Sequence, residues 1–128
     1  MIKPIWMELA DAIAIHEKMI ALHGGGSGLR DQGLLESALA KPKHRHAYES
    51  PSLAVLAAAY AAGVVLNHPF IDGNKRTGFM LAAAFLEFNG HLFVADEADA
   101  VIQTLALATG DLKEVGYAEW LLANSRTA

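Results

Sequence analysis

The chain is 128 residues long, 53% apolar and only 19% charged, with a mean hydropathy of +0.25. That length suits one ordinary domain, spanning 1–128, with a core that needs no staples, and the absence of cysteine excludes disulfides, thiolate metal sites and cysteine catalysis. A net charge of −4 and a pI near 5.8 argue against a general nucleic-acid binder, which carries a basic balance.

In chain order, residues 5–22 predict a helix, with Ile5, Leu9, Ala12, Ile13, His16, Met19 and Ile20 near one face. Gly24-Gly25-Gly26-Ser27-Gly28 ends it. This run lacks the Gly-Lys-Ser/Thr ending and the preceding strand of a phosphate loop, so it reads as a turn between helices. Asp31 is expected to cap a second helix over about 32–41, which Pro42 stops. Residues 42–51 show no period and predict an exposed loop. Lys41, Lys43, His44, Arg45 and His46 fall in or beside it, and His-x-His alone supplies too few ligands for a metal. Ser50-Pro51 reads as a helix start, and residues 52–67 as a helix apolar nearly all round, hence central.

His68-Pro69-Phe70-Ile71 breaks that helix, since the residue before a proline avoids the helical region. A second apolar helix is expected over about 74–89, ending at Asn89-Gly90. A short extended stretch at 91–95 follows, then a helix of about 97–109 capped by Asp96, and a last one of about 112–124. The forecast is all-α: a bundle of about six helices around a central buried pair. His16, His23 and His91 read as structural or solvent-facing, and Trp6 and Trp120 as core or partner-facing.

The apolar excess raises the question of a membrane. Of the apolar residues, 24 are alanine, the best helix former and one that buries little surface. A spanning helix needs about 20 consecutive apolar residues; the densest runs, Leu53–Leu66 and Gly78–Leu86, are shorter and are separated by Asp72, Lys75 and Arg76. Glu8, Asp11, Glu17 and Lys18 interrupt any signal-peptide pattern. The expectation is a cytoplasmic protein with no membrane contact.

Chemistry concentrates in His68-Pro69-Phe70-Ile71-Asp72-Gly73-Asn74-Lys75-Arg76. A helix starting at Asn74 presents unpaired N–H groups and a partial positive charge. Gly73 permits close approach of a ligand to the backbone, Asn74 adds a side-chain amide, and Lys75 and Arg76 add two cations. Those cations oppose the helix dipole, at roughly 0.3–1 kcal/mol each, and a bound polyanion would reverse that sign. The combination is a phosphate site. Asp72 beside it can hold magnesium together with phosphate oxygens. His68 can take a proton from an attacking hydroxyl, and Phe70 is expected to anchor the loop in the core. Together these suit phosphoryl or nucleotidyl transfer, in which positioning and charge stabilisation dominate.

This segment resembles the Fic motif, His-Pro-Phe-x-Asp/Glu-Gly-Asn-Gly/Lys-Arg, and Lys75 at its eighth place is similar to the Doc (death-on-curing) branch. Gly28-Leu29-Arg30-Asp31-x-Gly33-Leu34-Leu35-Glu36-Ser37-Ala38-Leu39 resembles the segment that Doc-like toxins carry upstream. The resemblance covers most of the chain and implies one Fic/Doc-like domain over 1–128.

The resemblance implies His68, Lys75 and Arg76 as catalytic residues, Gly73, Asn74, Lys75 and Arg76 as the nucleotide cradle, and Asp72 as the metal ligand. ATP and Mg2+ are the implied cofactors. In Fic enzymes with glycine at the eighth place, AMP is transferred. Lysine there implies a reversed nucleotide, with the γ-phosphate in the anion hole, and hence a kinase. The implied target is a hydroxyl of elongation factor Tu, and the implied partner a Phd-like antitoxin segment seated in a hydrophobic groove. Residues 42–51 take the place of the family's flap. AMP transfer to a protein hydroxyl, or a catalytically silent nucleotide- or partner-binding module, are the alternatives. None of the eight glutamates has Ser or Thr four residues before it, so the inhibitory Ser/Thr-x-x-x-Glu motif is missing and any restraint is expected from another chain.

Overall fold

Alanine and glycine set the architecture by letting helices approach closely. The computed structural model describes residues 3–128, in the order α1 (Leu9–His23), α2 (Gln32–Glu49), α3 (Leu53–Asn67), α4 (Asn74–Phe88), β1 (His91–Phe93), α5 (Glu97–Thr109), α6 (Glu114–Ala123) and β2 (Ser125–Thr127). The fold is all-α, with one small antiparallel pair in which His91, Leu92 and Phe93 face Thr127, Arg126 and Ser125.

Helix α3 is central, buried from Ala54 to Val65 apart from Val55, and packs on α4, α2 and α6. A Cβ at Gly63 would lie 2.7 Å from Ala38 Cβ on α2, and one at Gly78 would lie 2.6 Å from Val65 Cγ2. The small residues therefore set the helix spacing in a densely packed interior. No helix among the described residues is long and apolar enough to cross a membrane.

Several boundaries differ from expectation. Helix α1 begins at Leu9 rather than residue 5, because the Asp11 carboxylate accepts the Glu8 N–H at 2.8 Å and so fixes the helix start there. Residues before it are tied down otherwise: Asn89 accepts the Ile5 N–H at 2.7 Å and donates to the Ile5 carbonyl at 3.0 Å, while Met7 N–H donates to the Tyr60 hydroxyl at 3.0 Å. Helix α6 spans Glu114–Ala123 rather than 112–124. The pairing of residues 125–127 with β1 had no sequence signal.

The largest difference concerns residues 42–51. They form no exposed loop or flap: α2 runs through Pro42 to Glu49. A proline removes one intrahelical bond, and tertiary contacts override it here. Its ring is buried. On either side of it, Glu114 of α6 receives Lys41 at 3.0 Å and Arg45 at 2.9 Å, and Trp6 packs edge-on against His46 at 5.5 Å. The basic cluster is thereby largely paired, Lys43 lying 3.7 Å from Glu8. Ser50 is the left-handed C-cap of α2, and Ser52 caps α3 by accepting the Val55 N–H.

Candidate active site

The end of α3 and the start of α4 face each other across residues 68–73. His68 closes α3 in the left-handed region, at φ 52° and ψ 58°, with its N–H donating to Val64 O. Pro69 forbids a further helical turn. The loop then bonds to the segment between α1 and α2: Ile71 N–H donates to Gly28 O at 3.1 Å, and Arg30 and Asp31 N–H both donate to Pro69 O at 2.7 and 2.9 Å.

Phe70 is only 1% exposed and anchors the loop in the core, as expected. His16 of α1 lies flat on it, with ring centroids 3.9 Å apart and planes 6° from parallel. His16 is buried, and its Nε2 lies 2.8 Å from the Asp72 carbonyl oxygen. A carbonyl only accepts, so Nε2 carries the proton.

Asn74 has a different local role from the one its residue type suggested. Its Oδ1 accepts the Phe70 N–H and its Nδ2 donates to the Phe70 carbonyl, both at 3.0 Å. The side-chain amide closes on one peptide group and faces the loop, not the cavity. Asn74 can meet an anion through its backbone N–H.

Helix α4 opens on Gly73 at φ 75°, where a Cβ would lie 3.2 Å from Ile20 Cδ1 and 3.8 Å from His16 Nε2. The first helical bond runs from Thr77 N–H to Gly73 O at 3.0 Å. The N–H groups of Asn74, Lys75 and Arg76 have no acceptor, and neither Lys75 nor Arg76 pairs with a carboxylate, among the described residues. Three free donors and two unpaired cations at one helix start form an anion site.

Asp72 points its carboxylate back over the glycine turn. Oδ1 accepts the Gly73 N–H at 2.8 Å and Oδ2 the Gly26 N–H at 3.3 Å. A Cβ at Gly25 would lie 2.7 Å from that Oδ2 and would push the carboxylate aside, and the residue's φ of 116° itself favours glycine. The carboxylate is exposed, and each oxygen keeps a free lone pair. Among the described residues no three His, Cys, Asp or Glu side chains group together. Asp72 therefore suits a hard cation that takes most of its ligands from phosphates and water, the habit of magnesium.

A cavity of about 560 Å³ brings all six expected residues together: His68, Asp72, Gly73, Asn74, Lys75 and Arg76 line one side. Phe79, Met80, Ala100, Val101 and Leu105 line the apolar remainder. Size and mixed lining match a small-molecule site. His16, Arg30 and Gly25 support the loop and were not expected at the site. A lone histidine on an apolar helix face carries no signal of its partner.

The family model described as the Fic/DOC family matches residues 6–86, and the chain belongs to that family. Within it, the chain is similar to the protein kinase doc of Escherichia phage P1, 33% identical over 112 residues, which is 87% of this chain and 88% of that protein. It is also similar to toxin Doc of Mycolicibacterium smegmatis, 36% identical over 100 residues, covering 72% and 75% of the two chains. The protein is thus a Doc-like member of this family of Fic-type enzymes.

Proposed function

We propose that this protein is a Doc-like toxin of a type II toxin–antitoxin pair. It would transfer the γ-phosphate of ATP to a Ser or Thr hydroxyl of a translation factor, elongation factor Tu by resemblance, and so block translation. The observation that carries the reading is the shared cavity. His68, the free N–H groups of α4 and the Lys75 and Arg76 cations all line it.

In the proposed step, the unprotonated His68 imidazole takes the proton of the target hydroxyl. The hydroxyl oxygen bonds to the γ-phosphorus, the bond from that phosphorus to the β-bridging oxygen breaks, and ADP leaves with the electron pair. The N–H groups of Lys75 and Arg76 and the Arg76 guanidinium hold the transferring oxygens, where preorganised donors stabilise charge most. A magnesium ion held by Asp72 and the phosphates would neutralise charge during transfer. Lys75 supports phosphate rather than AMP transfer, because its side chain occupies space that a glycine would leave to the nucleotide. The relative from phage P1 is itself called a protein kinase.

The apolar remainder of the cavity suits an amphipathic segment of a Phd-like antitoxin. Co-expression of the neighbouring reading frame is expected to relieve toxicity. The deciding experiment incubates the purified protein with ATP, magnesium and elongation factor Tu, and weighs the target. A gain of about 80 Da reports phosphate and one of about 329 Da reports AMP. His68→Ala is expected to abolish the gain while nucleotide still binds. Nucleotide binding by the wild type without modification of any protein in a lysate would refute the enzymatic reading.

A further inference from the structure

We propose that Arg30 is the positioning residue for His68: its guanidinium fixes the backbone from which the proton-accepting imidazole projects. The proposal rests on the enzymatic reading above for its kinetic consequence, though not for its structural one.

A helix leaves its last carbonyls unpaired, and α3 must stop abruptly to place His68. Three successive carbonyls, those of Asn67, His68 and Pro69, are turned outward there. All three are met by two adjacent residues. Arg30 Nε donates to His68 O at 2.6 Å, and its terminal nitrogen donates to Asn67 O at 2.8 Å. The backbone N–H groups of Arg30 and Asp31 take Pro69 O. Asp31 also caps α2 by accepting the Leu34 N–H at 3.1 Å, so the splint is rooted in a rigid helix.

The guanidinium is a planar fork with fixed donor directions. Holding two consecutive carbonyls with one fork sets the two peptide planes relative to each other, and so sets the torsions on either side of His68. That residue is one of two non-glycine positions with positive φ among the described residues, a region that side-chain-bearing residues leave when unsupported. The cation also faces the negative end of α3. Arg30 is exposed and does not line the cavity, so it acts through His68 and not on the nucleotide. The anion site has separate support, from Asn74 on Phe70 and from His16 on Asp72. Losing Arg30 should therefore impair hydroxyl activation and spare nucleotide affinity.

The test uses the full chain with Arg30→Ala and Arg30→Lys. The three-bond amide–Hα coupling of His68 reads its φ by NMR, calorimetry reads the Kd for ATP, and turnover is measured on the target. Expected for Arg30→Ala are a shifted coupling, a Kd within about twofold of wild type, and turnover lowered roughly 10–100-fold, the scale of a misplaced catalytic group. Arg30→Lys keeps the charge but cannot bridge both carbonyls, so its turnover should fall between. Turnover of Arg30→Ala within about twofold of wild type, or a Kd weakened as much as turnover, would overturn the proposal. If the wild type modifies nothing, the function proposed above fails, and the coupling decides alone: an unchanged value overturns the positioning role and a shifted one supports it.

Discussion

Replacing Asn74 by alanine separates two roles for that residue. A side chain aimed at phosphate would be lost with little effect on folding. A side chain closed on the Phe70 peptide would be lost at the expense of the loop. Asn74 is 6% exposed and Phe70 1%, and the two hydrogen bonds between them are both 3.0 Å. Asn74→Ala leaves a buried N–H and a buried C=O without partners, at about 1–3 kcal/mol each. Because the loop is near the surface, water can reach part of the vacated space, which sets the total near about 2–4 kcal/mol. For a chain of this length that lowers Tm by about 6–20 °C. Asn74→Asp keeps the acceptor for Phe70 N–H but sets a carboxylate oxygen against the buried Phe70 carbonyl, so it too should melt below wild type. It also places a negative charge in the anion site and should weaken nucleotide binding more than alanine does. Differential scanning calorimetry with ATP titration distinguishes the cases. A Tm for Asn74→Ala within about 2 °C of wild type, with nucleotide affinity lost, would refute the clamp.

Other substitutions probe the surrounding supports. His16→Ala removes a fully packed ring and orphans the Asp72 carbonyl, a loss of about 3 kcal/mol in chemical denaturation; His16→Phe should recover the stack on Phe70 and only part of that loss. Gly78→Ala forces a Cβ within 2.6 Å of Val65 Cγ2 and 3.1 Å of the Ala61 carbonyl oxygen. Overpacking of about 1–3 kcal/mol should outweigh the roughly 1 kcal/mol gained in helix propensity, so a higher urea midpoint would contradict the packing. Burial pushes the Tyr60 and Tyr117 hydroxyls up to about 12 from an unfolded value of 10.0. Their contribution to stability is therefore complete below pH 10 and lost as pH rises towards 12, by about 2–3 kcal/mol each; the urea midpoint should fall across that range. Lys75→Gly should lower phosphate transfer and open AMP transfer, read from the mass of the target, and a variant indistinguishable from wild type would remove Lys75 as the selector.

What was legible in the sequence follows from how local each signal is. The motif at 68–76 is contiguous, and every residue type in it declares a chemistry, so six candidate site residues, all of which border one cavity, could be named before any contact was known. The Asp31 cap and the wholly apolar 53–66 run were equally local, whereas Asp96 takes the N-cap position of α5 without a side-chain hydrogen bond. Pro42 was misleading because a proline states only what the backbone loses. Whether the helix continues depends on Glu114, more than seventy residues away, and on burial of the ring. His16 and Arg30 were silent for the same reason. Each acts on a backbone carbonyl, His16 on that of Asp72 and Arg30 on those of Asn67 and His68, and every residue carries such an acceptor, so no pairing of side chains in the sequence reveals the contact.

That distinction bears on how the site is built. The candidate site residues belong to one short segment, which holds itself only through the Asn74 clamp, the buried Phe70 ring and the Asp72 contact to Gly73. The rest of its support is imported: His16 from α1, the 28–31 strap ahead of α2, and the close α3–α4 contact at Gly78 and Val65. The apolar excess of the chain belongs to this second task. Alanine-rich helices bring the backbones of α3 and α4 near enough that His68 at the end of one and the N–H groups at the start of the other border a single cavity. A bulkier α3–α4 contact would change the spacing between His68 and the N–H groups that open α4. Under the proposed function, close helix spacing is a catalytic constraint as well as a packing one. Substitutions that enlarge side chains at the α3–α4 contact should lower turnover before they unfold the chain.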